Sequence, residues 1–105
     1  MGKMSRTKGR RGQSDFANIL RNNDWQVDDT RAGIKAEDLI ATDPDGKEWS
    51  VEIKKTKQII PDHLRQAREQ AKKRKMPWML ANHIHGTRYW LVQRQNQSPV
   101  LWRQK

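Results

Sequence analysis

The chain has 105 residues, 33% hydrophobic and 32% charged, and its 22 Lys and Arg against 12 Asp and Glu give a net charge of +10. That is one domain's worth of residues, with a small core that must lean on five Trp and leaves apolar surface for a partner or second subunit to cover. Zero cysteines exclude disulfides, thiolate catalysis and Cys-based zinc sites; no apolar run is long enough for a membrane helix and no secretory apolar segment follows Met1. A cytoplasmic protein is therefore expected. The charge excess favours a polyanionic partner, with nucleic acid ahead of a membrane, because no basic helix with a broad apolar face is present.

Residues 1–11 carry Lys3, Arg6, Lys8, Arg10 and Arg11 among glycines without apolar periodicity, which reads as a flexible basic arm ahead of a single domain over 12–105. Lys8, Arg10 and Arg11 would grip phosphates there, with an affinity that falls steeply as salt rises; a merely solubilising terminus is the plainer reading. Phe16, Ala17, Ile19 and Leu20 mark one face of a first helix from about residue 12 or 13 to Asn22, with Ser14 as a candidate N-cap. Trp25 to Asp28 alternates as a short strand. A loop over 30–35 follows, where Arg31 and Lys35 can meet a phosphate backbone or simply be solvated.

Residues 36–54 read as a β-hairpin around Pro44-Asp45-Gly46, where Pro presets φ and Gly supplies the positive φ of a tight turn. Counting back in register from a three-residue loop flanked by Asp43 and Lys47 sets Asp38 opposite Glu52. Alternation then gives Leu39, Ala41, Trp49, Val51 and Ile53 one face and Asp38, Glu52 and Lys54 the other. Like charges directly across a strand pair are destabilising, so the two carboxylates call for a cation, and a hard divalent ion such as Mg²⁺ suits an all-oxygen site. Lys54 can touch the same phosphate or water. An exposed hairpin with solvated charges remains the alternative.

Beyond the hairpin, Lys55 and Lys57 continue its basic end. Pro61 can open a second helix that runs to about Lys75, with Asp62 at its positive end and Lys72, Lys73, Arg74 and Lys75 at its negative end. That last cluster serves either DNA contact or compensation of the helix dipole. Its narrow stripe of Leu64, Ala67 and Ala71 lets it lie close on a sheet while Arg65, Arg68, Lys72 and Lys73 stay exposed. Pro77 ends the helix, and Trp78 through Ile84 reads as a buried strand. Residues 88–94 alternate again, with Trp90, Val92 and Arg94 on one side and Tyr89, Leu91 and Gln93 on the other; Pro99 to Trp102 adds an edge strand or covers a partner. The expected fold is an α/β sandwich around a small mixed sheet flanked by helices. His83 and His85 lie two apart without a third ligand nearby, a weak basis for zinc. No glycine loop for a nucleotide and no serine-nucleophile motif is present, so no nucleotide cofactor is expected.

Asp38, then Glu52-Ile53-Lys54 on the next strand, within this order of elements, resembles the PD-(D/E)xK nuclease superfamily, and in it the archaeal-type Holliday junction resolvases, also found in phages. The resemblance runs over about residues 8–94: Lys8-Gly9 before the first helix, an aspartate ahead of a hairpin, the Glu-x-Lys strand, and a Gln-bearing helix followed by a strand. It implies a restriction-endonuclease-like α-β-β-β-α-β core and a Mg²⁺-dependent endonuclease, with Mn²⁺ able to substitute. It also implies a homodimer that cuts paired strands of a four-way DNA junction, in a bacterial, archaeal or phage-infected cell. By the same resemblance Asp38 and Glu52 hold the metal and Lys54 positions or activates the attacking water. Two positions depart from the pattern: Glu37 stands where the family often has Pro, and Gln13 stands where a metal-associated Glu is usual. Gln13 is retained as a site member, since its carbonyl oxygen can bind a metal without bringing charge. Asp15 is set aside because two residues along a helix points elsewhere. Gln66 matches a position that supports the lysine in the family, although an ordinary polar helix residue fits as well. The alternatives are another structure-selective or nicking endonuclease of that superfamily, or a non-catalytic basic nucleic-acid-binding protein of the same fold.

Overall fold

The computed structural model describes residues 15–28, 38–55 and 61–104, with Asp38 described by its backbone alone. The basic arm, Gln13, Arg31, Lys35, Glu37 and Lys57 lie outside the described residues. Among the described residues, two helices and six strands follow one another: α1 over 15–22, β1 Gln26–Asp28, β2 Asp38–Thr42, β3 Glu48–Lys54, α2 Pro61–Arg74, β4 Trp78–His83, β5 Tyr89–Arg94 and β6 Val100–Arg103. The strands form one sheet in sequence order, β1-β2-β3-β4-β5-β6. Every neighbouring pair is antiparallel except β3 and β4, which are parallel because α2 carries the chain back between them.

Each helix closes with the same device. Asp24 takes a φ of 67° after α1, and the Trp25 and Asp24 amides donate to the Leu20 and Arg21 carbonyls at 3.0 and 3.2 Å. Lys75 takes a φ of 57° after α2, and the Met76 and Lys75 amides donate to the Ala71 and Lys72 carbonyls at 3.0 and 3.2 Å. This paired return satisfies carbonyls that a helix end leaves open. The second helix therefore stops at Arg74, one residue short of the sequence expectation. Left-handed Lys75 makes the turn, and Pro77, whose ring bars a continuing helix, follows it.

The sheet has two unlike faces. On one, Phe16, Ala17, Ile19 and Leu20 of α1 pack with Trp25 over Leu39, Ala41, Trp49, Val51, Ile53, Met79, Ala81, Trp90 and Val92. The predicted stripes of both helix and hairpin are thus buried against each other, and each fully buried large side chain contributes about 1.5–3 kcal/mol relative to exposure. Four of the five tryptophans serve this face, Trp102 as a partly buried member. Arg94 lies among them, its guanidinium carbon 5.9–6.0 Å from the rings of Trp25, Trp49 and Trp102, where the aromatic faces offset the loss of water around the charge. The opposite face carries buried Ile40, Ser50, Glu52, Leu80 and Asn82, and α2 lays Ala67 and Ala71 on β3 and β4. Only small residues on that helix stripe let its axis come near enough to bury polar groups. The fifth tryptophan, Trp78, is on this side, with the Arg68 guanidinium 5.6 Å from its ring.

The hairpin turn is built as its sequence predicts. Gly46 has a φ of 88°, the Asp43 amide donates to the Lys47 carbonyl and the Gly46 amide donates to the Asp43 carbonyl, both at 2.9 Å. The Asp43 carboxylate accepts from the Asp45 and Lys47 amides at 2.9 Å and from the Trp49 indole Nε1 at 3.0 Å. Burial alone would raise this carboxyl's pKa; the indole and amide donors, with the Lys47 charge, outweigh it and hold the pKa below the ordinary aspartate value. A depressed carboxyl stabilises the fold above its unfolded pKa, and that contribution disappears as pH falls through the folded one. Asp43→Ala is expected to cost about 1–2 kcal/mol at neutral pH through the lost hydrogen bonds. Denaturant unfolding of both proteins should show the gap narrowing below the ordinary aspartate range; a gap constant down to strong acid would contradict the assignment.

Candidate active site at the carboxyl end of β3

Asp38 opens β2 and pairs in register with Glu52 of β3, as the turn length requires. Directly opposed residues of an antiparallel pair have Cβ atoms about 4.5–5.5 Å apart, so the backbone brings two acidic positions together. Glu52 is 8% exposed. Two residues on, and therefore on the same face, Lys54 places its Nζ 3.3 Å from Glu52 Oε1. Burying a carboxylate is costly without a compensating charge or hydrogen bond, and Lys54 supplies one. The solvated-hairpin alternative does not describe Glu52, which lies buried on the face that α2 covers.

The parallel pairing adds a neighbour that sequence reading missed. Lys54 is in register with Asn82 of β4, and Glu52 with Leu80. Asn82 is 5% exposed, the one amide side chain among the buried polar residues described. The signal in the sequence was a lone Asn closing the apolar run Trp78 to Ala81, since asparagine is seldom buried without a purpose. Higher on the same face, the Arg74 guanidinium donates to Ser50 Oγ at 2.9 Å, tying the end of α2 to β3.

Other candidate residues are spread more widely. Asp15 and Lys55 pair with each other at 3.4 Å, so Lys55 is engaged and Asp15 does not stand with Glu52. Lys72 and Lys73 are exposed in the last turn of α2. Because α2 runs back along the sheet, that turn is anchored over Ser50, two residues before Glu52 in β3, a separation of about 7 Å along a strand. Gln66 is exposed on α2, as an ordinary polar helix residue would be. His83 turns to the tryptophan face, 5.0 Å from the Trp90 ring, with Nε2 2.8 Å from the Thr87 carbonyl, while His85 is exposed in the following turn. Among the described side chains, no three His, Asp or Glu gather as a metal would need, so the two histidines form no zinc site there. The donors that suit a hard cation are the carboxylate of the buried Glu52 and the acid opposite it in register, both oxygen ligands.

No protein-family model and no curated sequence matches this chain. Among solved structures, Hjc from Archaeoglobus fulgidus, a Holliday junction resolvase from an archaeal hyperthermophile, superposes with a TM-score of 0.60 over 91% of this chain and 84% of that one, at 16% identity. The chain therefore shares the fold of that resolvase: a mixed α/β domain whose six-stranded sheet is flanked by helices.

Proposed function

We propose that this protein is a metal-dependent DNA endonuclease that hydrolyses phosphodiester bonds in branched DNA, most specifically in a four-way junction. The observation that carries the reading is the pairing of Asp38 with Glu52 beside a lysine two residues on, at the carboxyl end of β3. The net charge of +10 supports a polyanionic substrate, and the fold shared with an archaeal resolvase supports the junction. Asp38 and Glu52 would hold Mg²⁺, or Mn²⁺ in its place. Gln13 is kept as a third, uncharged donor. A bound Mg²⁺ would lower the pKa of a water and offset phosphate charge.

The remaining steps belong to the chain. Lys54 aims an ammonium at the phosphate and stabilises the negative charge that grows on its oxygens. The water oxygen bonds to phosphorus as the ester P–O bond breaks, and the departing oxygen takes up a proton. Leu80 on one side and α2 above shield Glu52 from bulk water, which strengthens every charge interaction there. Symmetric cutting of two strands needs two such centres, and one chain has one Glu-x-Lys strand, so a homodimer belongs to the same reading. Lys8, Arg10, Arg11, Arg31, Lys35, Lys55, Lys57, Lys72 and Lys73 are proposed to carry DNA contact.

The test is a panel of labelled DNA: four-way junction, flap, nick, plain duplex and single strand, each with Mg²⁺ and with EDTA. Metal-dependent cleavage of the junction in paired strands is expected. Equal cleavage of flap or duplex would make the protein another structure-selective nuclease of this fold. Gln13 in place of an acid favours a second reading, a DNA-binding protein without chemistry; binding without cleavage, and no Mn²⁺ uptake by calorimetry, would establish it.

A further inference from the structure

We propose that the part of the sheet face left open beside α2 is a binding site for an unpaired nucleotide of DNA, with Tyr89 stacking on its base and Arg103 meeting its phosphate. The inference rests on DNA as the partner in the reading above, and on none of the chemistry. Helix α2 lies over β3 and β4, so β5 and β6 extend beyond it on that face. Trp90 and Val92 are buried on the tryptophan face, and alternation therefore turns Tyr89 and Leu91 to the face of α2. Leu101 and Arg103 of β6 oppose Leu91 and Tyr89 in register. Ile84, whose amide donates to the Tyr89 carbonyl at 3.0 Å, carries the line of β4 on beside Tyr89. Ile84, Tyr89 and Leu101 are 37%, 43% and 59% exposed, and they are the exposed large hydrophobic residues among all those described. Such residues scattered singly are ordinary; gathered on one patch they mark a surface that something covers.

Charge selects the occupant. Residues 70–105 contain no Asp or Glu, and Arg88 and Arg103 stand exposed at the patch. A second copy seated on the same patch across a two-fold axis would bring arginines toward arginines with no acid to receive them. A polyanion that also offers flat apolar faces satisfies both the rings and the cations. Within a duplex those faces are stacked on one another, so only an unpaired base presents one, and a base stacks on an aromatic ring whatever its sequence. The platform is firmly built. The Tyr89 amide donates to Thr87 Oγ1 at 3.0 Å and the Thr87 hydroxyl donates to the Ile84 carbonyl at 2.8 Å. The Gln104 amide donates to the Arg88 carbonyl at 2.6 Å, which pins the end of β6 beside Tyr89. The register row Lys54, Asn82, Leu91, Leu101 runs unbroken from β3 to β6. Strand spacing and rise then set Tyr89 about 12 Å from Lys54 along the sheet, within a few nucleotides of the phosphate proposed to react.

The experiment measures binding of the full-length protein in EDTA to a labelled duplex and to the same duplex carrying a short loop of unpaired thymines. The unmodified protein is expected to bind the looped DNA about 5- to 100-fold more tightly, the scale of one stacked base. Tyr89→Ala should abolish that preference, and Tyr89→Phe, which keeps the ring face, should retain it. Arg103→Gln should lower the slope of log affinity against log salt by about one. Equal affinity of the unmodified protein for the two DNAs overturns the site, as does a preference that survives in Tyr89→Ala. An unchanged salt slope in Arg103→Gln overturns the role of Arg103. Sedimentation of the same proteins provides a further check: a dimer that Tyr89→Ala splits into monomers makes the patch a subunit contact and overturns the proposal. Melting temperatures identify a variant that fails to fold, and Leu101→Ser, which keeps the ring and removes its apolar flank, then decides by a weakened preference. Cleavage is scored separately with Mg²⁺. Cleavage without loop preference sinks this site alone, and loop preference without cleavage sinks the nuclease reading alone.

Discussion

Glu52→Ala, and separately Asp38→Asn, are expected to lower Mg²⁺-dependent DNA cleavage by about 100- to 1,000-fold, the scale on which a preorganised group at a reacting centre acts. Binding of the same DNA in Ca²⁺ or EDTA should change little, because the basic residues proposed to meet the backbone are elsewhere on the chain. The two substitutions differ in what they leave behind. Asp38→Asn keeps the shape of the opening residue of β2 and removes one charge from the register pair with Glu52, which reduces the cross-strand repulsion. Its melting temperature should equal or exceed that of the unmodified protein while its activity is lost. Glu52→Ala removes the carboxylate that lies 3.3 Å from Lys54 Nζ, whose side chain is 16% exposed. Breaking a partly buried ion pair by removing one partner is destabilising, so this variant should lose stability as well as activity. Undiminished cleavage by purified Asp38→Asn would remove Asp38 from the site, and undiminished cleavage by Glu52→Ala would end the metal-nuclease assignment.

Phe16→Ala carries the largest expected change in stability, a loss of about 3–5 kcal/mol. Phe16 is 0% exposed. Its ring centroid lies 5.1 Å from that of Trp90 and 5.9 Å from that of Trp102, the latter nearly parallel at 13°. The side chain thus ties α1 to β5 and β6 at once, and Trp102 in turn meets Trp25 edge-on at 6.0 Å. Truncation leaves a cavity between rings too rigid to collapse into it. A domain of this size commonly has about 5–15 kcal/mol in total, so the loss would take a large part of it. Urea unfolding followed by tryptophan fluorescence measures it, with Phe16→Leu expected to cost much less because most of the volume is kept. A loss under about 1 kcal/mol for the alanine variant would mean that α1 does not close this face of the sheet.

The hairpin was legible residue by residue because its determinants are local. Pro44, Asp45 and Gly46 set the loop, the loop length sets the register, and the alternation of Trp49, Val51 and Ile53 sets which face is buried. The same locality made the α2 start at Pro61 and the β6 edge readable. Arg94 among tryptophans was half legible: alternation placed it with Trp90 and Val92, but not with Trp25 and Trp102, which are far along the chain. The boundary that slipped at Lys75 depends on a single residue, whose left-handed φ of 57° goes with closing bonds to the carbonyls of the last helical turn.

What the sequence determined alone is the opposition of Asp38 to Glu52, with Lys54 on the same face, since a two-residue period and a tight turn leave no other arrangement. The depth of Glu52 and the partners around it were decided only in the tertiary structure. Alanine spacing on α2 is compatible with many helix positions, and the parallel pairing of β3 with β4, which brings Asn82 to Lys54, depends on where a 14-residue helix lays the chain down. The Lys55 and Asp15 pair likewise forms across 40 residues of chain. Such contacts arise from which surfaces are left to bury after local structure has formed, and that is a property of the assembled sheet rather than of any segment in it.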